Sequence, residues 1–303
     1  MILENNTQTK AGFVAIVGMP NAGKSTLLNT LLGHKVAIVT PKAQTTRLPV
    51  RGILTQDDTQ LIFVDTPGLY HGKRSLEDAM YNMAMQSWQD ADAVLMVLDV
   101  TKGWREMDEQ LLEALRHAKG RKPLFLAMNK VDLLKDKAGL LPLMERARAE
   151  DIFTEVFPIS ALKQKYTEDL LQALQATALP SPFLYDSTTV TDTPLKLRAA
   201  EVTREKAMLY LQDELPYGVA VEPLNMEVGE DGSIAFYQNI LIDRQHHKEM
   251  VLGKHGAMLK KIGTAARKEL TYLLGVPVHV FNHVKVKENW ANSASVLQTL
   301  HLR

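Results

Sequence analysis

The sequence predicts an α/β domain built on a mostly parallel sheet, followed by a smaller α+β domain. With 303 residues the chain is longer than one small core usually covers. As far as residue 178, short apolar runs typical of buried strands alternate with helical stretches, which is the pattern of a parallel sheet covered by helices on both faces. Beyond residue 194 the predicted order of elements changes to αββααβ.

Composition and charge describe an ordinary folded protein. Apolar residues make up 46% of the chain and charged residues 23%, which excludes disordered and collagen-like classes. The absence of cysteine removes disulfides, thiolate metal sites and cysteine nucleophiles, and it is compatible with a reducing cytosol. The first residues lack the apolar core of a signal peptide, and no apolar run approaches membrane-spanning length. We therefore expect a cytoplasmic protein.

A glycine-rich loop follows the first predicted strand. The strand-like run at 13–17 leads into GMPNAGKS at 18–25, which opens a helical stretch. Gly23 lets the backbone wrap a polyphosphate with its N–H groups pointing inward, Lys24 can reach the outer phosphates, and Ser25 offers a hydroxyl to Mg²⁺. This register of residue types predicts nucleotide binding rather than a turn made for packing alone.

The second predicted strand ends in a carboxylate. Its run at 61–65 closes with Asp65, which begins the motif DTPG. At the carboxyl edge of a sheet this carboxylate can hold Mg²⁺ through water, while the Gly68 N–H can sense a γ-phosphate. A further strand-like run occupies 93–99, and a helical stretch covers 105–118.

The last two strands of the first domain carry the signals for a base. The run at 123–129 leads into NKVD, where the Asp132 carboxylate can accept from N1–H and N2–H₂ of guanine, a pairing that adenine lacks. The run at 156–160 leads into the motif SAL, whose backbone can approach the guanine carbonyl and whose serine can brace Asp132. Each motif alone also suits a solvated turn or a helix cap, but the ordered set predicts a guanine nucleotide.

A linker separates the two domains. Pro, Ser, Thr and Asp accumulate around 179–196 and the periodicity fails there, so we predict domains at 8–178 and 197–303. In the second domain a helical stretch precedes two strands joined by GEDG at 229–232. Pro223 interrupts the first of these strands and predicts an edge or a bulge.

The turn GKHG stands between two predicted helices of the second domain, and a final strand follows them. Its glycines can bring backbone N–H groups close to nucleic-acid phosphates, and its middle residues add positive or hydrogen-bonding character. Residues 243–288 hold nine Lys or Arg against four Asp or Glu, a net charge of +5, which makes a phosphate-rich partner plausible. The candidate RNA-binding residues are Gly253, Lys254, His255, Gly256, Lys260, Lys261 and Arg267. The last three either line the same groove or only solubilise their helix.

The motifs GMPNAGKS, KAQTTR, DTPG, NKVD and SAL together resemble those of the Era family of translation-factor-like GTPases. The order αββααβ with its G-x-x-G turn resembles a type II KH domain, which binds single-stranded nucleic acid. LQDELPYGVAVE, VLGKHG, IGTAARKEL and VKVKENW continue the likeness, which covers nearly all of residues 12–290. The resemblance implies a P-loop GTPase fold followed by a KH domain, hydrolysis of GTP, and binding of the 3′ end of small-subunit ribosomal RNA during ribosome assembly. It also implies a loose membrane association, and we expect a monomer.

The resemblance also assigns residues to the nucleotide. Within KAQTTR, Thr46 matches the switch threonine that ligates Mg²⁺ better than Thr45 does, so the expected Mg²⁺ residues are Ser25, Thr46 and Asp65. Asn21 matches a loop position that coordinates K⁺ in related GTPases. The expected GTP-binding residues are Asn21, Ala22, Gly23, Lys24, Ser25, Thr26, Thr46, Asp65, Gly68, Asn129, Lys130, Asp132, Ser160, Ala161 and Leu162.

No catalytic residue can be assigned from the sequence. Leu69 follows DTPG where Ras-like GTPases carry the glutamine that orients the attacking water, so slow intrinsic hydrolysis is expected. Two alternatives stay open. One is a binding module in which hydrolysis is incidental and the C-terminal domain docks a protein or membrane partner. The other is an ATP-dependent enzyme that uses the same phosphate loop.

Overall fold

The structure, a computed structural model, describes residues 9–68, 75–116 and 122–300. It contains two compact units. The first ends at Asp192, and the second consists of the chain from Thr193 together with the segments 38–45 and 75–80. Each unit has its own sheet. Among the described residues, none of the helices combines the length and apolar character needed to cross a membrane.

The first sheet is mostly parallel, with the order β2-β3-β1-β4-β5-β6 and β7 paired to β1. Its strands are β1 (Lys10–Val17), β2 (Val50–Gln56), β3 (Thr59–Asp65), β4 (Ala93–Asp99), β5 (Leu124–Asn129), β6 (Glu155–Pro158) and β7 (Leu179–Pro180). The predicted α/β class is confirmed. The sequence analysis missed β2, an antiparallel edge strand, because VRGILTQ is neither continuously apolar nor strictly alternating.

Helices cover both faces of this sheet. They are α1 (Lys24–Leu32), α2 (Ser75–Asp90), α3 (Glu106–Arg116), α4 (Leu140–Ala149) and α5 (Glu168–Gln175). Leu28 of α1 and Leu174 of α5 pack with Val14 on one face, whereas Trp88 of α2 and Leu111 of α3 belong to the apolar cluster on the other face. Since successive strand residues point to opposite faces, the central strands have to be apolar throughout.

The segment predicted as a linker packs along the first sheet in its first part. Leu179 and Pro180 pair with β1, and the Ile53 N–H of β2 donates to the Val190 carbonyl at 2.9 Å. The Gln60 side-chain carbonyl accepts the Tyr185 N–H at 3.0 Å. Backbone hydrogen bonds therefore bind this segment to the first unit although its composition is typical of a loop.

The second unit has the predicted order αββααβ. Its elements are α6 (Leu195–Tyr210), β8 (Ala220–Val228), β9 (Ile234–Ile242), α7 (Gln245–Leu252), α8 (Ala257–Leu274) and β10 (Val278–Val286), followed by α9 (Ala294–Thr299). The strand order is β10-β9-β8, with β10 parallel and β8 antiparallel to β9. Strand β8 is an edge strand, and its register shifts between Pro223 and Asn225, so the predicted edge and bulge are both present.

A polar layer divides the core of the second unit. On β9, Phe236 belongs to one apolar cluster and Ile240 to another. Gln238 lies between them, and Asn282 is its register partner on β10. Among the described residues, the polar side-chain atoms of Gln238, Asn282 and Thr203 are buried without a hydrogen-bond partner. Such atoms cost free energy in a core, which makes this layer a weak point of the unit.

Candidate functional site

The predicted phosphate loop connects β1 to α1. Gly23 has φ of 100°, and a Cβ at this position would overlap the side-chain amide of Asn129, so only glycine fits. Lys24 is buried, and its ammonium donates to the carbonyls of Gly18 at 2.9 Å and Met19 at 3.2 Å. Burial lowers the pKa of Lys24, which the charge of Asp65 only partly opposes. The amine is thus already held inside the loop.

Three oxygen-bearing side chains meet beside this loop. The Ser25 hydroxyl donates to Asp65 Oδ2 at 2.6 Å, and Thr46 Oγ1 lies 2.8 Å from Ser25 Oγ and 3.4 Å from Asp65 Oδ2. Burial raises the pKa of Asp65 to about 6, although the Lys24 charge and the hydrogen bonds from Ser25 and Thr46 act against it. Among the described residues, Asp65 Oδ1 is buried and has no hydrogen-bond partner. Hydroxyl and carboxylate oxygens fit a hard cation such as Mg²⁺.

The neighbouring threonine is engaged elsewhere. Thr45 Oγ1 lies 2.6 Å from Thr40 Oγ1 and donates to the Lys42 carbonyl at 2.7 Å. The structure therefore brings Thr46, and not Thr45, to the oxygen cluster.

The DTPG motif lies against the phosphate loop. The Thr66 hydroxyl donates to the Ile16 carbonyl of β1 at 2.8 Å. A Cβ on Gly68 would meet Pro20 Cγ at 2.9 Å, so the chain approaches the loop closely there. Leu69 lies outside the described residues.

Asn129 joins three of the predicted motifs. Its side-chain N–H donates to the Ala22 carbonyl of the phosphate loop at 2.9 Å. Its side-chain carbonyl accepts the N–H groups of Lys130 at 2.8 Å and Ala161 at 3.0 Å. This buried amide therefore positions the phosphate loop, NKVD and SAL relative to one another.

Lys130 forms a second link. It has φ of 70°, and its ammonium donates to the Asn21 carbonyl and to Asp99 Oδ2, both at 2.6 Å. Burial of Asp99 opposes its charged form, but hydrogen bonds from Lys130 and Thr101 lower its pKa. The sequence analysis missed Asp99. A signal existed, since the buried run AVLMVLD of β4 ends in this carboxylate, at the edge of the sheet where ligands bind.

Asp132 is braced as the sequence predicts. The Ser160 hydroxyl donates to Asp132 Oδ1 at 2.5 Å and accepts the Lys163 N–H at 3.2 Å. Ser160 is fully buried, whereas Asp132 is exposed and Leu162 is 72% exposed. A fixed carboxylate at the surface of the site can receive two N–H donors from one planar ring.

The GKHG turn of the second unit has a different construction. Gly253, His255 and Gly256 have φ of 69°, 53° and 77°, and α8 begins at the next residue. A Cβ on Gly253 would meet Met258 Cβ at 2.7 Å. Lys254 and His255 are exposed. The start of a helix and these side chains together suit an anion.

The predicted basic residues of α8 are also exposed. Lys260 and Arg267 are seven residues apart, so they lie on the same face of the helix. The Lys261 ammonium lies 4.2 Å from the centre of the Tyr210 ring, which places it over an aromatic face. Cations therefore continue from the turn along α8.

Comparison with known families and proteins agrees with this organisation. Residues 13–130 match a family model described as 50S ribosome-binding GTPase, and residues 214–291 match a KH domain model. The chain is 44% identical over 286 residues to GTPase Era of Brucella suis biovar 1, with 94% of this chain and 91% of that protein covered. It is 42% identical over 289 residues to GTPase Era of Agrobacterium fabrum, with 95% and 90% covered.

Solved structures show the same likeness. A crystal structure of Era in complex with MgGDPNP and nucleotides 1506–1542 of 16S ribosomal RNA matches with a TM-score of 0.92 and 38% identity, covering 97% of this chain and 99% of that chain. A crystal structure of an Aquifex aeolicus Era variant bound to GDP·AlF₄⁻ matches with a TM-score of 0.93 and 37% identity, with the same coverage.

Proposed function

The chain belongs to the Era family of GTPases, and we propose that it is a GTP-hydrolysing switch that binds the 3′ end of small-subunit ribosomal RNA during assembly of the small ribosomal subunit. One observation carries the proposal. A single chain contains both an interlocked guanine-nucleotide site and a GKHG turn, and it matches an Era structure that holds MgGDPNP and 16S ribosomal RNA over 97% of its length.

In the nucleotide site the phosphate loop takes the polyphosphate of GTP or GDP. Ser25 and Thr46 would offer hydroxyl ligands to Mg²⁺, and the Asp65 carboxylate beside them would help to hold the ion. Asp132 binds the guanine N–H groups. The backbone of Ala161 and Leu162, in the motif SAL, approaches the guanine carbonyl. The whole set consists of Asn21, Ala22, Gly23, Lys24, Ser25, Thr26, Thr46, Asp65, Gly68, Asn129, Lys130, Asp132, Ser160, Ala161 and Leu162.

Hydrolysis of GTP in this chain depends on positioning and on charge. The developing charge in phosphoryl transfer is stabilised by backbone N–H groups, a lysine and Mg²⁺. Within the described residues we assign no general base, so the intrinsic rate is expected to be slow. Coordination of K⁺ at Asn21 stays a prediction, and equal rates in KCl and NaCl would exclude it.

The second unit binds the RNA. Backbone N–H groups of GKHG and the cations that follow it approach the phosphates of a single strand. The residues involved are Gly253, Lys254, His255, Gly256, Lys260, Lys261 and Arg267. GTP can strengthen RNA binding only as far as RNA strengthens the binding of GTP over GDP. A coupling free energy of about 1–3 kcal/mol between the two sites would change the RNA affinity roughly 5- to 150-fold. A cytoplasmic protein with a loose contact with the inner face of the membrane is compatible with such an RNA partner and with the family.

The test is the affinity for a short single-stranded RNA that copies the 3′ end of small-subunit ribosomal RNA, measured with a non-hydrolysable GTP analogue and with GDP at one salt concentration. We expect tighter binding with the analogue. The double variant Lys254→Glu/His255→Glu should weaken RNA binding at least about tenfold and leave the affinity for the analogue unchanged.

The matched control is Lys135→Glu/Lys137→Glu, which reverses two exposed charges of the first unit and should leave RNA binding unchanged. If Lys254→Glu/His255→Glu binds RNA as tightly as the wild type does, the assignment of RNA binding to the turn is wrong. Equal RNA affinity with the GTP analogue and with GDP would mean that the protein binds the RNA but that the nucleotide does not control this binding.

A further inference from the structure

The sheet of the second unit is covered on one face, and its other face is exposed along the edge strand β10, whereas Asn239 and Leu241 of β9 are buried there. Residues from α6, α8 and one side of the strands form the apolar clusters of this unit. The other side of β10 carries His279, Phe281, His283 and Lys285, alternate residues that are all exposed. Such alternation places four side chains in one row on one face.

An aromatic pair stands in the middle of this face. Phe281 is 52% exposed, and its ring stacks on that of Tyr237, its register partner on β9, with centres 5.0 Å apart and planes 15° apart. Tyr237 covers one face of the Phe281 ring. Since β10 is an edge strand, no further strand of this sheet among the described residues lies beyond the other face of the ring, which another flat ring can cover.

Charge changes sign across this face. On β8, Glu227 accepts from the Tyr237 hydroxyl at 3.1 Å, and Glu222 accepts from the Asn239 side chain at 2.9 Å. The acidic side chains are thus bound to neighbours on β9. On β10, by contrast, the exposed row contains only an aromatic residue, histidines and a lysine. The edge of the sheet therefore suits an anionic chain.

We propose that this open face is a second contact surface for single-stranded RNA, in which one base stacks on Phe281 and adjacent phosphates lie along His279, His283 and Lys285. We call these residues, with Tyr237, the sheet platform. The proposal rests on the RNA-binding function above and extends the RNA path beyond the GKHG turn. Open sheets with exposed aromatic residues and cationic neighbours are a common way to bind single strands.

The topology supports a continuous path. Strand β9 leads into α7, which leads into GKHG. Because β10 is parallel to β9, Lys285 lies at the end of the sheet from which α7 departs. A strand held at the turn can thus continue onto the platform. A protein partner fits less well, since the centre of a protein interface is usually depleted of charged residues and rich in apolar ones, whereas here two histidines and a lysine surround a single aromatic pair.

The experiment compares two RNAs on the full-length protein with a GTP analogue. One RNA has about four nucleotides, the length that a KH turn holds, and the other continues further along the 3′ end. Phe281→Ala should weaken binding of the longer RNA about tenfold, as loss of one stacked base does, and leave the short RNA unchanged. Phe281→Trp should restore the affinity because it keeps a stacking surface.

Tyr272→Ala is the matched control, since Tyr272 is an exposed aromatic residue of α8, 86% accessible, and lies off the platform. It should change neither affinity. A second variant, His283→Glu/Lys285→Glu, should reduce the salt dependence of binding for the longer RNA only.

Several outcomes would overturn the platform. The platform is wrong if Phe281→Ala binds the longer RNA with wild-type affinity. It is also wrong if the variant loses the same affinity for both RNAs, because that would indicate an effect through the turn or the fold. A shift from dimer to monomer in Phe281→Ala would assign the face to a second copy. These results leave the proposed function standing, whereas a wild type that binds neither RNA would remove that function and the platform with it.

Discussion

The nucleotide site of the first unit and the GKHG turn of the second are held in place by different means. In the first, side chains interlock, because Asn129 bonds to the phosphate loop and to SAL while Lys130 bonds to the loop and to Asp99. In the second, positive φ angles at Gly253, His255 and Gly256 shape the turn, and Lys254 and His255 are exposed. The first arrangement can discriminate one base by fixed donors and acceptors, whereas the second can grip phosphates of any sequence.

The two sheets also differ in how much of their surface is buried. Both faces of the central strands of the first sheet are buried, so the positions before their last residues serve packing. The second sheet is buried on one face and exposed along β10 on the other, and a polar layer interrupts its core at Gln238. The second unit thus gives up part of its stability, and it keeps an open face for contacts with other molecules.

The largest effect should come from breaking the interlock at Gly23. In Gly23→Ala the new Cβ overlaps the Asn129 amide, so strain at positive φ adds to the loss of a buried hydrogen bond. We expect GTP affinity to fall by about 3–4 kcal/mol, measured by titration with a fluorescent GTP analogue.

Gly33→Ala is the control for this prediction. Gly33 ends α1 with φ of 66°, but a Cβ there meets nothing within 4 Å. It should cost only about 1 kcal/mol of stability and leave GTP affinity near that of the wild type. Equal losses in both variants would show that positive φ, and not the Asn129 contact, governs the site.

A smaller effect should follow from changing the group that reads the base. Asp132→Asn removes a charged acceptor of two guanine N–H groups, so the preference for GTP over ATP should fall by about 2 kcal/mol, roughly 30-fold. Competition binding with GTP and ATP measures it. Ser160→Ala, which removes only the brace, should lower the preference less. An unaltered preference in Asp132→Asn would revive the ATP-dependent alternative.

The smallest effect should be a gain of stability in the second unit. Gln238→Met replaces a buried carboxamide that has no partner among the described residues by an apolar side chain of similar size. The free energy of unfolding should rise by about 1–2 kcal/mol, measured by urea denaturation. The exposed Gln245→Met is the control and should change it little. A loss of stability in Gln238→Met would mean that buried water satisfies the carboxamide.

Several features of the site could be predicted because their signal is local. The phosphate loop, DTPG and NKVD each need particular residue types at short spacing after an apolar strand, and the structure brings them together at one edge of the first sheet. The bulge at Pro223 was predictable for the same reason, since proline lacks the N–H that a strand pairing needs.

Other features have no local signal. Strand β2 is an edge strand without a clear apolar period, and the segment near Tyr185 looks like a linker although Gln60 binds it. The end of β4 marks Asp99 as a candidate site residue, but its ion pair with Lys130 joins residues 31 positions apart and has no local signal.

The sequence by itself determined the class of protein, the order of elements in the second unit and the identity of the guanine-nucleotide motifs, because each depends on periodicity or on residues near one another in the chain. Only the tertiary structure decided that Thr46 rather than Thr45 reaches Asp65, that Asn129 joins three loops, and that Phe281 stacks on Tyr237 on an open face. These contacts join residues far apart in sequence, so they form only once the strands are paired and the helices packed.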